Sequence, residues 1–227
     1  MKTALAVIVS LLLLVGSVVA GEPEQQPRAN VVVPDSVSAD RVAFYDIALT
    51  CPSAPKLGCG SRAKRVLATL TGDARVAAAW VNEAGTRLVV AWAQSSAPLT
   101  ADQLNEILGP HGLAVNPIDD KTRAELLVSY RTNQGWFDSA TIDELSRKES
   151  AVIAERLVRR LAKRVPVTDT QSASLVKAIM TSCWDRGGCQ VEQDVEAIAQ
   201  QAKLDRSGAD ALREAVALGY RPLENED

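Results

Sequence analysis

Hydrophobic and polar positions between residues 41 and 118 alternate between a strand rhythm and a helix rhythm. Four short segments, rich in alternating, β-branched or aromatic residues, predict strands. Two segments between them have apolar residues at helical spacing, with Ser61 and Thr100 as candidate N-caps. The predicted strands are 42–49, 76–81, 88–92 and 113–115, and the predicted helices end at Gly72 and Gly109. The predicted order is therefore β-α-β-β-α-β.

That order predicts a ferredoxin-like unit, which is an antiparallel sheet with both helices on one face. Three connections meet at one end of such a sheet: the loop after the first strand, the central hairpin, and the loop before the last strand. The first of these loops carries Cys51 and Cys59, and the last carries His111. We therefore expect these three side chains to be neighbours in space.

Residues 119–227 show helical periodicity and no strand rhythm. A long segment begins at Ser139 and ends before Pro166, and three shorter amphipathic segments follow; four such helices can form a bundle. A basic run near the end of the long segment favours a solvated helix C-terminus. Its members are Arg156, Arg159, Arg160, Lys163 and Arg164. The predicted fold class is α+β, with a ferredoxin-like βαββαβ domain at 41–118 followed by a C-terminal helical domain at 119–227.

The first 20 residues have the pattern of a cleavable signal peptide. Lys2 supplies a short positive region, residues 4–15 are almost uniformly apolar, and cleavage is expected after Ala20. An uncleaved anchor is the alternative, but the apolar run is shorter than the ~20 residues of a membrane span. Residues 21–40 are rich in Pro, Glu, Gln and Ser and predict a flexible linker. The chain is therefore expected to be exported, either to the periplasm or out of the cell.

Composition and motifs exclude several functional classes. The formal net charge is −3, and no basic block has the interleaved aromatic residues of a nucleic-acid binder. The chain has no Gly-x-Ser-x-Gly motif, no phosphate-binding glycine loop and no His-Glu-x-x-His motif. Catalysis is therefore not expected, and thiol-disulfide exchange is the one enzymatic activity left open.

The four cysteines form two local pairs, Cys51-x7-Cys59 and Cys183-x5-Cys189, in glycine-flanked loops. In an oxidising compartment, a pair that closes a short loop is commonly a disulfide. For Cys183 and Cys189 we predict a disulfide that clamps a helical hairpin, with a second soft-metal site as the alternative. For Cys51 and Cys59 a structural disulfide, metal ligation and thiol exchange all stay open. Sequence does not choose among the three possible pairings of four cysteines.

His111 is the only histidine in the chain. A neutral imidazole could complete a Cys2His ligand set around copper or zinc. The alternative is a histidine in an exposed turn with no role. The predicted metal ligands are therefore Cys51, Cys59 and His111.

A cysteine pair between the first strand and the first helix of a βαββαβ unit resembles the heavy-metal-associated domain. Apolar residues follow Cys59 as they follow the second cysteine of that family, and residues 76–82 are similar to its second strand. The residues that follow Cys59 in this way are Ala63, Val66 and Leu67. The family includes copper chaperones and the periplasmic mercury-binding protein of mercury-resistance operons. Its motif is Met-x-Cys-x-x-Cys, so the x7 spacing here departs from it, and the resemblance covers about a third of the chain.

The resemblance implies an exported protein that binds or relays a soft metal ion through its cysteine pair. Cu(I), Hg(II) and Zn are the candidate ions, and a membrane transporter or another exported protein is the expected partner. The alternative interpretation is a disulfide-stabilised exported protein-interaction module without a metal, and the third is a thiol-disulfide exchange protein. A bond from Cys51 or Cys59 to the helical half would contradict the metal interpretation.

Overall fold

The computed structural model of the chain describes residues 38–132, 134–184, 188–224 and 226. The predicted signal peptide and all but the last three residues of the predicted linker lie outside the described residues. A short 3-10 turn at Ala39–Arg41 leads directly into the first strand. Among the described residues, no helix combines the length and the hydrophobicity needed to span a bilayer.

The strands form two antiparallel sheets in the described part of the chain. They are β1 (Val42–Ile47), β2 (Thr50–Cys51), β3 (Ala54–Gly58), β4 (Val76–Asn82), β5 (Arg87–Trp92), β6 (Val115–Pro117) and β7 (Trp136–Phe137). The larger sheet has the strand order β6-β1-β5-β4-β7, and β2 pairs with β3 in a separate hairpin. The register of the larger sheet places Val89 of β5 between Phe44 of β1 and Trp80 of β4.

Six of the helices in the described residues correspond to predicted amphipathic segments, and α3 (Asp120–Arg131) is an additional helix. They are α1 (Gly60–Thr71), α2 (Ala101–Leu108), α3 (Asp120–Arg131), α4 (Ile142–Ala162), α5 (Asp169–Trp184), α6 (Val191–Gln201) and α7 (Arg206–Ala217). Thr100 caps α2 as predicted, because its hydroxyl accepts a hydrogen bond from the Gln103 N–H. A 3-10 turn at Gly109–His111 follows α2.

Apolar side chains cover both faces of the larger sheet, because successive residues of a strand point to opposite faces. On one face, α1 and α2 contribute buried residues such as Leu67 and Leu104. On the other face, Tyr130 of α3 packs edge-on against Phe44 and Trp80. The sheet therefore lies between two helical layers, and the second layer comes from the region after residue 118.

Residues after 118 also contribute to the sheet. β7 pairs with β4 at the edge, with Phe137 opposite Val81, and Ile142 and Leu145 of α4 enter the core of the sheet. The expectation of no strand in this region is wrong, because a two-residue strand is too short to show alternation. Packing of the sheet thus continues past residue 118, and the described residues belong to one compact unit.

The second part of α4 packs with α5, α6 and α7 around a separate apolar cluster. Each helix contributes buried residues, among them Leu157, Ile179, Ile198 and Leu212. The amphipathic segments of the C-terminal half therefore pack together as predicted. The fold class is α+β, as the sequence predicts.

Two members of the basic run in α4 are buried rather than solvated. Arg156 donates to the carbonyls of Ser53 at 2.5 Å and Tyr220 at 2.7 Å. Arg160 pairs with Glu226 at 2.7 Å. The expectation of a solvated helix end is wrong for these two arginines, because backbone carbonyls and a carboxylate satisfy their guanidinium groups inside the structure.

A thiol and carboxylate site between the first helix and α4

The x7 spacing between Cys51 and Cys59 is bridged by the β2–β3 hairpin. In this hairpin Thr50 lies opposite Gly58, and the Cys59 N–H donates to the carbonyl of Leu49 at 2.6 Å. The hairpin therefore brings Cys59 back beside the residues that precede Cys51, and the two cysteines lie close together. The sequence predicts a loop here, because a short hairpin that contains two prolines lacks the usual strand pattern.

Glu149 of α4 supplies a third polar group at this point. Its Oε1 accepts a hydrogen bond from Cys51 Sγ at 2.9 Å, and its Oε2 accepts one from the Gly60 N–H at 3.0 Å. The ligand atoms of Cys51, Cys59 and Glu149 all lie within 4.8 Å of one another. Two thiols and a carboxylate at this separation form a group that could hold a metal ion.

Gly60 allows α4 to approach the start of α1 this closely. A Cβ at this position would lie 2.2 Å from Ser146 Oγ and 2.7 Å from the Ser146 backbone nitrogen. No other residue type fits without moving α4, since real Cβ atoms do not approach other atoms so closely. The Cys59-Gly60 dipeptide thus positions Glu149 beside the thiols.

Cys59 is the N-cap residue of α1, so its sulfur lies at the positive end of the helix dipole. Interaction with the neighbouring Cys51 thiol lowers the pKa of the Cys59 thiol to about 5, and a 3.5 Å contact with Ser61 Oγ contributes to the shift. The interaction with Cys59, burial and the hydrogen bond to Glu149 together raise the pKa of Cys51 well above its ordinary value. The prediction of Ser61 as the N-cap is wrong, because α1 begins at Gly60 and Ser61 lies in its first turn. The surroundings therefore favour the thiolate form at Cys59 and the thiol form at Cys51.

Glu149 is mostly shielded from solvent. Burial raises the pKa of Glu149, repulsion from Cys59 adds to the shift, and the hydrogen bonds from Cys51 and Gly60 oppose it. Carboxyl groups held in this way are common at functional sites. A bound cation would offset the repulsion between the thiolate and the carboxylate, because it attracts both.

His111 is not brought to the thiols. Its Nε2 lies 2.8 Å from Thr69 Oγ1. Thr69 follows Cys59 by ten residues, which is about 15 Å along the axis of α1. The topology does place the turn that carries His111 beside α1, but against the flank of the helix, next to Arg62 and Arg65. The predicted Cys2His set is therefore not assembled, and Glu149 takes the place predicted for His111.

The predicted Cys183–Cys189 disulfide is confirmed. It joins the end of α5 to the segment that leads into α6. Cys51 and Cys59 are free thiols, so neither a bond between them nor a bond to the helical half is present. One pair is therefore bonded in this structure and the other is free.

A narrow cleft of about 60 Å³ lies beside the Cys183–Cys189 disulfide. Ser61 and Glu149, which contact the two free thiols, line this cleft together with the disulfide-bonded Cys183 and Cys189. The cleft can hold water but is too small for an organic substrate.

Glu149 is absent from the predicted ligands, yet its position in the sequence of α4 indicates a charged residue on the buried face of the helix. Ile142 and Leu145 lie three residues apart on the inner face of the helix and Ile153 follows eight residues later; Glu149 occupies the position midway between Leu145 and Ile153. A charged residue in the apolar stripe of an amphipathic helix must find a partner in the interior. A systematic search of the stripe for charged residues would have found it.

Comparison of the chain with protein-family models, with curated proteins and with solved structures finds no match. The geometry of Cys51, Cys59 and Glu149 is therefore the basis for the functional argument.

Proposed function

We propose that this chain is an exported protein that binds a soft or borderline metal ion through Cys51, Cys59 and Glu149. The observation that carries the proposal is the separation of their ligand atoms, all within 4.8 Å of one another. Thiolate sulfur is the preferred protein ligand of Cu(I), and together with carboxylate oxygen it also binds Zn. The three groups come from three elements that the fold holds in fixed positions.

Electrostatics favour a cation at this point. The site contains a thiol with a lowered pKa and a carboxyl group that is shielded from water. Two negative groups that share a partly buried position repel each other, and their burial is costly unless a positive charge compensates them. No lysine or arginine side chain pairs with Glu149 among the hydrogen bonds and ion pairs of the described residues. A metal ion supplies the missing charge.

The role of Glu149 distinguishes between the candidate ions. Two thiolates are enough for an ion of low coordination number such as Cu(I) or Hg(II). Zinc takes four ligands, and open zinc sites use three protein ligands and one water. Two cysteines, one glutamate and one water match that count. We expect Glu149 to matter strongly for zinc and little for Cu(I) or Hg(II).

Two further features support a relation to the heavy-metal-associated domain and an exported location. The strand order β6-β1-β5-β4, with α1 and α2 on one face, supports a ferredoxin-like βαββαβ arrangement. In this chain the β2–β3 hairpin takes the place of a Cys-x-x-Cys turn. The apolar N-terminal segment supports export to the periplasm or outside the cell, where a membrane transporter or another exported protein would exchange the ion.

Metal titration of the reduced chain beginning at Gly21 tests the proposal. We expect one Cu(I), Hg(II) or Zn ion per chain, measured by competition with a chelator of known affinity in the absence of oxygen. Cys51→Ser and Cys59→Ser should each weaken binding by at least ~100-fold, since loss of a ligand costs more than loss of a supporting group. Wild-type affinity in both variants would contradict the proposal.

Three matched variants complete the titration. His111→Ala should bind as the wild type does, because His111 lies on the flank of α1. The double variant Cys183→Ser/Cys189→Ser should also keep the site. Glu149→Gln should weaken zinc binding by at least ~10-fold and leave Cu(I) or Hg(II) within a few-fold of the wild type. An equal effect of Glu149→Gln on all three ions would assign the carboxylate a structural role only.

The alternative function, a disulfide-stabilised interaction module, makes a different prediction. Mass spectrometry of protein taken from its native compartment would then find Cys51 and Cys59 fully bonded to each other and no metal. Free or metal-loaded thiols at these positions favour the metal proposal.

A further inference from the structure

An apolar groove of about 530 Å³ runs along α5, and Arg147 of α4 borders it. The apolar residues that α5 contributes recur at intervals of three or four, so they share one face of the helix. They are Ala173, Val176, Met180 and Trp184. Val176 and Met180 are only partly buried, because they pack against the bundle core and also line the groove. The outer face of α5 therefore presents an apolar stripe to solvent.

Two positively charged side chains border this stripe without a carboxylate partner. The Arg147 guanidinium lies over the Trp184 ring, 3.8 Å from its centroid. Neither Arg147 nor Lys177 takes part in an ion pair within the described residues, whereas the neighbouring Lys148 pairs with Glu83 at 2.6 Å. Stacking on the ring holds the guanidinium plane and leaves its N–H edge available to a carboxylate.

The spacing of the two charges gives the spacing of the groups that would complement them. Lys177 and Trp184 are seven residues apart on α5, which is about 10 Å along the helix axis. Because Arg147 lies over Trp184, the two cations are separated by a similar distance along the groove. Among the described residues, no acidic side chain lines it. The groove therefore complements a segment that has apolar residues and two carboxylates about 10 Å apart.

The walls of the groove favour a helical occupant. They come from α4 and α5, whose backbone groups are mostly bonded within the helices, so the groove has no strand edge to pair with an extended segment. An amphipathic helix binds an apolar groove through its side chains alone. Two acidic residues seven positions apart on such a helix have the same separation of about 10 Å.

We propose that this groove is the docking site for an acidic amphipathic helix of another protein. Trp184 and Arg147 are of the residue types that contribute most to binding energy at interfaces, and the flexible Met180 can adapt to the bound side chains. The inference goes beyond the metal function and does not rest on it, because none of Cys51, Cys59 and Glu149 lines the groove.

Selection from a peptide library tests the chemistry of the occupant. The probe is a phage-displayed library of short helical peptides with randomised outer positions, and the target is the chain beginning at Gly21 with its Cys183–Cys189 bond intact. We expect enriched peptides to carry apolar residues at helical spacing and carboxylates about seven positions apart. Enriched peptides without carboxylates, or no enrichment over a support without protein, would overturn the proposal.

Reversal of the two groove charges tests the place of binding. An enriched acidic peptide should bind Arg147→Glu/Lys177→Glu at least ~10-fold more weakly, because two attractions become repulsions. Fluorescence anisotropy of the labelled synthetic peptide measures this, and the same peptide with lysines in place of its carboxylates should prefer the variant. Both side chains are exposed, so the variant should keep its fold, and Lys177→Glu alone should give a smaller loss. Unchanged affinity in the double variant would overturn the proposal.

Lys121→Glu/Arg131→Glu is the matched control. Both residues are exposed, lie on α3 and do not line the groove, and the net charge changes by the same amount. The acidic peptide should bind this variant within ~2-fold of the wild type, because distant exposed charges are screened by salt. Equal losses in the two double variants would assign the binding to overall charge and contradict a specific groove.

A second copy of the chain is the competing occupant. Sedimentation over a wide range of protein concentrations should find the wild type monomeric; self-association that Arg147→Glu/Lys177→Glu abolishes would make the groove a dimer interface and overturn the proposal. Docking is also separable from metal binding. The variant Cys51→Ser/Cys59→Ser lacks the thiol ligands and should bind the peptide as the wild type does, so either proposal can fail while the other stands.

Discussion

Cys183 and Cys189 are joined by a disulfide, whereas Cys51 and Cys59 remain free although the fold holds their sulfur atoms close together. Both pairs are local in sequence and both lie beside a glycine. Their surroundings differ. Cys183 belongs to the apolar core of the helical bundle, while Cys51 and Cys59 contact a carboxylate and the N-terminus of a helix.

The difference shows that spacing alone does not determine what a cysteine pair does. A thiol that is surrounded by apolar side chains behaves as a small hydrophobic residue or forms a structural bond. A thiol at a helix N-terminus, next to a second thiol and a carboxylate, becomes a nucleophile or a ligand. The carboxylate of Glu149 is therefore the feature that separates the two pairs, and it comes from a residue far away in the sequence.

The largest expected difference between the two cysteine pairs is in the rate at which their sulfur atoms are alkylated. In native protein without reductant, iodoacetamide should modify Cys59 at least ~100-fold faster than Cys51, and Cys183 and Cys189 not at all. Because the pKa of Cys59 is lowered to about 5, its rate should rise through pH 5 and then level off. An unperturbed thiol rises near pH ~8.5 instead.

The cause of that shift can be tested directly. Removing the Cys51 thiol with Cys51→Ala should move the half-maximal alkylation rate of Cys59 to higher pH, because the interaction with this thiol is the main cause of the lowered pKa. A wild-type Cys59 that reacts only near pH ~8.5 would mean that it is an ordinary thiol.

The next largest effect is expected from Gly60→Ala, which disrupts the free pair and leaves the bonded pair intact. The added Cβ would meet Ser146 atoms at 2.2 and 2.7 Å, so α4 must move and carry Glu149 away from the thiols. We expect a loss of about 2–3 kcal/mol in the free energy of unfolding, measured in urea, together with weakened metal binding.

Gly109→Ala is the matched control for this substitution. A Cβ at Gly109 has no atom within 4 Å and the backbone there is helical, so stability should change by less than ~1 kcal/mol. Similar results for the two variants would show that the close contact between α1 and α4 is not required.

The predicted elements of the sheet and helices agree with the structure wherever periodicity is long enough to be visible. Strands such as β4 and helices such as α1 were predicted nearly to their ends. The β2–β3 hairpin and β7 are not predicted. β2 and β7 have only two residues each, and β3 has five and contains a proline, so none of them shows a visible alternation of apolar and polar residues.

The candidate site was predicted in part for a related physical reason. Cys51 and Cys59 are recognisable from sequence because cysteine is rare in this chain and the two are close together. His111 was expected at the same sheet end, but topology fixes only the end at which a loop lies and not which flank of a helix it contacts. Glu149 depends on the packing of α4 against Gly60, a long-range contact that local patterns do not encode.

A smaller effect is expected from removing the bonded pair. Cys183→Ser/Cys189→Ser should lower the free energy of unfolding by about 2 kcal/mol, because the disulfide closes only a short loop. Addition of a reductant should lower the thermal midpoint of the wild type and leave this variant unchanged. In the variant Cys51→Ser/Cys59→Ser, reductant should lower the thermal midpoint as it does in the wild type. An unchanged midpoint would show that the stabilisation by the Cys183–Cys189 bond depends on the free pair.

The smallest effect, of opposite sign, is expected from Glu149→Gln. The pKa of Glu149 is raised in the folded chain, chiefly by burial, so folding favours its protonated form. The resulting stabilisation is complete below the ordinary carboxyl pKa and is lost as the pH rises through the folded pKa. At neutral pH the metal-free wild type therefore buries a charge at a cost, and Glu149→Gln should raise its free energy of unfolding by up to about 1 kcal/mol. At about pH 4 the two proteins should be equally stable, because both side chains are then neutral. Urea unfolding at the two pH values measures this. If the variant were less stable at both pH values, the hydrogen bonds of Glu149 would stabilise the fold by more than the burial of its charge destabilises it. The carboxylate would then be a structural link between α1 and α4 rather than a group held at a cost in stability beside two free thiols.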